Sequence, residues 1–232
     1  MNMAVRDRRG ATLESSEENT RDKILNAAGE VFAEQGFEGA TIRAITQRAS
    51  VNVAAVNYHF RDKAELYARL MLDACCARKV ADEVMAQQIE TPEEKLRSII
   101  FHWLEYMLDP DRPEWQRLLM AREMANPTTA LDTLVENNIK PLRDECLKPT
   151  LRKLTEDRFD EKRLRYISAS IMGQCHYYLQ SRPILERLYP DFEIGKAEIN
   201  DIADHITEFS LAAITEMTRR QAKKNPKRKA IL

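Results

Sequence analysis

The sequence predicts an all-α protein of about ten helices, and three observations carry that expectation. Glycine is scarce, 6 in 232 residues, while the good helix formers Ala, Leu, Glu, Arg and Lys are plentiful. Apolar residues recur at three- and four-residue spacing, and no segment holds the strict two-residue alternation of a half-buried strand. Several segments also open on a capping residue followed by proline or an acidic side chain.

Residues 1–19 hold few large apolar side chains, which predicts a disordered N-terminal arm, and they lack the apolar run of a signal peptide. From Thr20, Ile24, Ala27, Ala28, Val31 and Phe32 repeat at helical spacing, and Gly36 supplies a stop. Thr41 caps a short second helix with Ile42, Ile45 and Ala49 inside. After Ser50-Val51, Asn52 caps a third helix that ends near Tyr58. Asp62 and Glu65 stand at capping-box spacing and open a helix expected to run to about Gln87. Thr91-Pro92-Glu93-Glu94 starts the next, LRSIIFHWLEYML. Asp109-Pro110-Asp111-Arg112-Pro113 ends it and starts PEWQRLLMAREMA. Asn126-Pro127 starts a helix interrupted or kinked near Pro141 and Pro149. Residues 160–180 form a mostly apolar helix, Pro183–Tyr189 a short one, and 195–221 the last long one.

Charge and cysteine usage narrow the class. The net charge is −1, but seven basic and no acidic residues lie between Arg219 and Leu232, so the remainder carries −8. The run KKNPKRK in a basic tail from 222 to 232 either touches DNA or is a solvated end. Cys75, Cys76, Cys146 and Cys175 have no C-x-x-C spacing, which predicts reduced thiols and a cytoplasmic protein. No run approaches the ~18 apolar residues of a membrane span, so no membrane partner is expected.

Helices as short as the second and third are marginal alone and need the first behind them. Three helices with a short, partly exposed last one make a helix-turn-helix, whose last helix enters the major groove. Local charge agrees: from Gly39 to Lys63, Arg43, Arg48, Arg61 and Lys63 outweigh Asp62, a balance of +3. On the third helix Val56 and Phe60 face inward, so Val53, Ala54 and Asn57 face out. Exposed Val and Ala can touch thymine methyls, Asn can pair with adenine, and Arg43 is the candidate for guanine. Tyr58 either packs on the fourth helix or fixes the DNA backbone, and His59 is either a surface histidine or a phosphate donor.

The run GFEGATIRAITQRASVNVAAVNYHFRDKAELY resembles the DNA-binding region of the tetracycline-repressor (TetR/AcrR) family. Gly36, Phe37, Thr41, Ile45, Ala49, Val51, Tyr58, His59, Phe60, Lys63 and Leu66 carry the match. The resemblance implies Arg43, Val53, Ala54, Ala55 and Asn57 near DNA, with Thr41, Tyr58, His59 and Lys63 near phosphates. Two positions depart from the family pattern. Ser50 stands where a glycine suited to positive φ is usual, and Thr46 replaces a small alanine.

MLDPDRPEWQRLLMAREMANPTTALD, IMGQCHYYLQSRPILERLYP and IADHITEFSLAAI resemble the CecR-like C-terminal type of the same family. The resemblance implies a DNA-binding domain at 20–66 and an effector-binding and dimerisation domain at 67–221. Helices 160–180 and 195–221, with their apolar faces and small residues, would then pair across a homodimer. Trp103, Tyr106, Met107, Trp115, Met120, Met124, Cys175 and His176 are candidate effector contacts, or ordinary core. Their spacing suits no metal site, and no cofactor or catalytic motif stands out.

The expected function is a DNA-binding regulator, a repressor released from a palindromic operator by a small molecule. The alternative keeps the fold as a DNA-dependent partner-binding factor with no small-molecule switch, and an enzyme is a distant third.

Overall fold

Residues 5–192 and 194–224 are described in the computed structural model, with side chains from residue 19. Regular structure among them is entirely helical. In chain order the helices are α1 (Val5–Gly39), α2 (Ile42–Ala49), α3 (Val53–His59), α4 (Lys63–Ala74), α5 (Ala77–Ala86), α6 (Pro92–Leu108) and α7 (Glu114–Ala125). They continue as α8 (Ala130–Leu134), α9 (Lys148–Leu154), α10 (Glu161–Gln180), α11 (Arg182–Leu188) and α12 (Lys196–Lys224). The ladder of α1 runs through residues 5–19, the stretch expected as an arm, where side chains before residue 19 lie outside the described residues. The expected basic tail lies outside them from residue 225 onward.

The chain folds as two compact units, Met1–Cys75 with Arg112–Val135, and Cys76–Asp111 with Glu136–Leu232. In the first, Ile24, Phe32, Ile45, Val56, Leu66, Leu70 and Met71 are fully buried. Each contributes about 1.5–3 kcal/mol relative to exposure, which is what holds helices as short as α2 and α3. Gly29 of α1 lies under the Trp115 indole of α7, so closely that a Cβ would clash with the ring. In the second unit α6 is central, packed by α5, α9, α10 and α12 around Leu96, Ile99, Ile100 and Leu104. Thr91 and Glu94 complete its capping box.

The turn after α2 closes as a Schellman motif: Ser50 N–H bonds Gln47 O at 3.3 Å and Val51 N–H bonds Thr46 O at 3.1 Å. That geometry puts Ser50 in the left-handed region (φ 54, ψ 42). Ser50→Gly should therefore raise the unfolding free energy by about 0.5–1 kcal/mol, the gain left after glycine's greater unfolded entropy. A melting temperature that stays level or falls in thermal denaturation would contradict this.

One expectation is corrected, and another takes a specific form. The helix expected from Asp62 to about Gln87 is α4 and α5, separated at Cys75, where the backbone is extended (φ −93, ψ 122). Arg112 donates to the Ala74 carbonyl and satisfies the end of α4. The interruption or kink expected near Pro141 takes the form of a widening: π segments at Val135–Ile139 and Leu142–Leu147 flank it. Proline lacks an N–H and crowds the carbonyl one turn back, and the wider turn accommodates both.

Candidate nucleic-acid interface

Local caps fix the two helices of the turn. Thr41 Oγ1 accepts from Ala44 N at 3.1 Å, and Asn52 Oδ1 accepts from Ala55 N at 2.8 Å. Val56 and Phe60 are buried and anchor α3 to its support. The opposite face is open: Val53 is 49% and Tyr58 72% exposed, and Ala54 and Asn57 are exposed beside them. Ala55 and His59 are half-buried, and the His59 ring meets Tyr58 edge-on at 5.0 Å. On α2, Thr46 is buried and its hydroxyl donates to Arg43 O at 3.0 Å, so the extra polar atom is satisfied.

The four cations of this region divide. Arg48 forms a bidentate pair with Glu34 at 2.7 and 2.9 Å, which clamps α2 to α1 and holds the Glu34 carboxyl below its ordinary range. Lys63 is half-buried; its Nζ donates to the carbonyls of Phe37 (2.9 Å) and Ala40 (3.2 Å) and lies 4.6 Å from the Phe37 ring centre. Those bonds tie the start of α4 to the end of α1 and leave one ammonium proton for another partner. Arg43 and Arg61 are exposed, with no partner among the described residues. Sequence reasoning missed Gln47, exposed one turn beyond Arg43 on the same side of α2. The i, i+4 spacing from Arg43 was the available signal.

Behind the head, Phe37 and Phe32 pack on Tyr67 of α4 at 5.0 and 4.9 Å between ring centres. Tyr67 donates its hydroxyl to Glu123 of α7 at 2.8 Å, and Glu123 is fully buried. The same carboxylate accepts from Thr128 N at 2.8 Å and from the Thr128 hydroxyl at 3.0 Å. Burial, with the Glu123 contact, pushes the Tyr67 hydroxyl well above the ordinary tyrosine range, so it remains a donor.

The candidate effector residues separate. Trp115, Met120 and Met124 are on α7 in the first unit, where Trp115 packs on Gly29 and Met124 is exposed. Trp103, Tyr106 and Met107 on α6 belong to the second unit, as do Cys175 and His176 on α10. Trp103 meets His176 at 5.6 Å between ring centres, Tyr106 bonds Glu83 at 3.4 Å, and Met107 is buried. Burial pushes the Cys175 thiol up to about 12, which makes it an unreactive core group. Among the described residues no group of three or more His, Cys, Asp or Glu could hold a metal ion, and no helix is long and apolar enough to cross a membrane. On the outer side of α10 and α12, Tyr166, Ile167, Phe209, Ala213 and Ile214 line an apolar groove of about 270 Å³.

A short helix locked from behind by Val56 and Phe60, carrying no acidic residue on its open face, is the reading element of a helix-turn-helix. Fold and face together define a helix-turn-helix protein of the DNA-binding class. Residues 24–70 match the family described as bacterial regulatory proteins, tetR family. Residues 92–214, more than half of the chain, match the C-terminal domain of the HTH-type transcriptional dual regulator CecR. The chain belongs to the TetR family of regulators, with a CecR-type C-terminal domain.

It is 28% identical to the HTH-type transcriptional repressor NicS of Pseudomonas putida over 87% of this chain and 94% of that one. It is 33% identical to a probable HTH-type transcriptional regulator, YttP of Bacillus subtilis, over 38% of this chain; that match spans under half, 44%, of YttP. The crystal structure of AibR in complex with isovaleryl coenzyme A and operator DNA shares the fold, with a TM-score of 0.58 at 17% identity over 82% of this chain and 97% of AibR.

Proposed function

We propose that this protein is a repressor that acts in the cytoplasm as a homodimer on a palindromic operator and leaves it when a small molecule binds. Residues 20–66 serve as the DNA-binding part and 67–221 as the effector-binding and dimerisation part. Arg43, Val53, Ala54, Ala55 and Asn57 read bases, while Thr41, Tyr58, His59 and the remaining Lys63 proton hold phosphates. The observation that carries this is the division of α3 into a buried anchor and an open, acid-free face beside the unpaired Arg43. Pairing through the apolar groove of α10 and α12 would bring two such faces into one complex, as a palindromic site requires. NicS is named a repressor, and AibR carries an acyl coenzyme A together with operator DNA, which supports a ligand-controlled reading. Release then follows from the ligand's higher affinity for the form that fits DNA poorly.

Selection from randomised duplexes tests the reading face. The wild-type chain should enrich an inverted repeat, and Arg43→Ala should lose preference at one base pair of each half, worth about 1–3 kcal/mol. Equal loss on selected and random DNA would remove Arg43 from the readout.

A further inference from the structure

The second unit contains a donor with nothing to bond. Trp103 is 9% exposed, its Nε1 is sealed from solvent, and no acceptor among the described residues lies within reach of that N–H. An indole N–H can only donate, and burying one unsatisfied costs free energy that a phenylalanine in its place would not incur. Tryptophan at this position therefore calls for an acceptor from outside the chain.

The neighbouring side chain supplies the complement. The His176 ring lies 5.6 Å from the Trp103 ring, tilted by 51°. Its Nδ1 is 2.8 Å from the Met172 carbonyl, which can only accept, so Nδ1 carries the proton. In the neutral ring Nε2 is then an acceptor. One donor and one acceptor, on two adjoining aromatic faces, match a hydroxyl group: its oxygen accepts from Trp103 Nε1 and its proton goes to His176 Nε2. His176 is half-buried. Cys175, fully buried next to it, is core.

We propose that Trp103 and His176 form the polar centre of a small-molecule site whose ligand is a neutral, largely apolar alcohol or phenol. The inference rests on the effector-controlled reading above and specifies its chemistry.

Phenol, anisole and toluene are the probes, added to the full-length 15N-labelled chain while the backbone amide and the two indole N–H resonances are followed, so that binding to Trp103→Phe is still read from the amides. Trp103→Phe assigns the signal. Phenol should move the Trp103 resonance saturably and bind about tenfold more tightly than toluene, the equivalent of one well-made hydrogen bond. Trp103→Phe and His176→Leu should each bring phenol to the level of toluene, with toluene unaffected. Anisole, which accepts but cannot donate, should respond to Trp103→Phe alone. Equal binding of phenol and toluene would overturn the proposal. So would a Trp103 resonance unmoved by phenol up to about 10 mM, a weak limit for a ligand of this size, as when a buried water alone fills the place. Operator binding read in the same samples separates the two claims. Phenol binding that leaves the operator complex intact would count against release by an effector at this site and leave the site itself standing, whereas release by an unrelated compound without a Trp103 response would do the reverse.

Discussion

Glu123→Ala is expected to cost about 3–5 kcal/mol of stability, because it strands the buried Tyr67 hydroxyl and two half-buried Thr128 donors at once. The carboxylate sits at 0% exposure and receives the Tyr67 hydroxyl, the Thr128 amide and the Thr128 hydroxyl. For a chain of this length that loss corresponds to a fall in melting temperature of about 10 °C or more. Tyr67→Phe removes only one donor and should cost about 1–2 kcal/mol. Glu123→Gln keeps one acceptor oxygen and should fall between the two. The effect should reach the DNA-binding head, since Tyr67 packs on Phe37, whose carbonyl receives Lys63. Chemical denaturation measures the series. A Glu123→Ala variant within about 1 kcal/mol of wild type would show that the network is not what holds α4 to α7.

Phe209→Glu should leave the folded subunit almost untouched and abolish pairing. Phe209 is 62% exposed in the single chain, and exposed substitutions usually stay within about 0.5 kcal/mol. In the proposed dimer the same ring lies in the apolar groove with Tyr166 and Ile214, where an unpaired carboxylate has no compensating partner. Sedimentation should report a single-chain mass. Operator affinity should fall by about 10²–10⁴-fold, because two linked heads benefit from effective concentration and separate heads do not. A dimer that survives the substitution would place the seam elsewhere.

The sequence revealed most where local rules decide. The caps at Thr41, Asn52, Asp62 and Thr91 are each occupied in the structure, because side-chain capping depends on residues within one turn. Ser50 was legible through the family resemblance, whose usual glycine there implies positive φ, and its φ is 54. What stayed hidden depends on partners far along the chain. Nothing between Lys63 and Gln87 marks the break at Cys75, which Arg112 completes from 38 residues away. Lys63 reads as a phosphate contact by motif, yet most of its donors go to Phe37 and Ala40. Glu123 carries no mark of burial in the sequence and is fully buried, since only the fold brings Tyr67 to it. The aromatic and methionine residues between Phe101 and Met124 form one cluster in sequence but divide between two compact units.

The central claim, that two copies of the α2–α3 face read one site together, is tested most directly by titrating the protein onto the selected inverted repeat and onto a duplex with one half scrambled. The account predicts two chains per intact duplex, and a loss of about 10²–10⁴-fold in affinity when one half is scrambled, matching Phe209→Glu on the intact site. One chain per duplex, or equal affinity for the intact and half-scrambled sites, would contradict it.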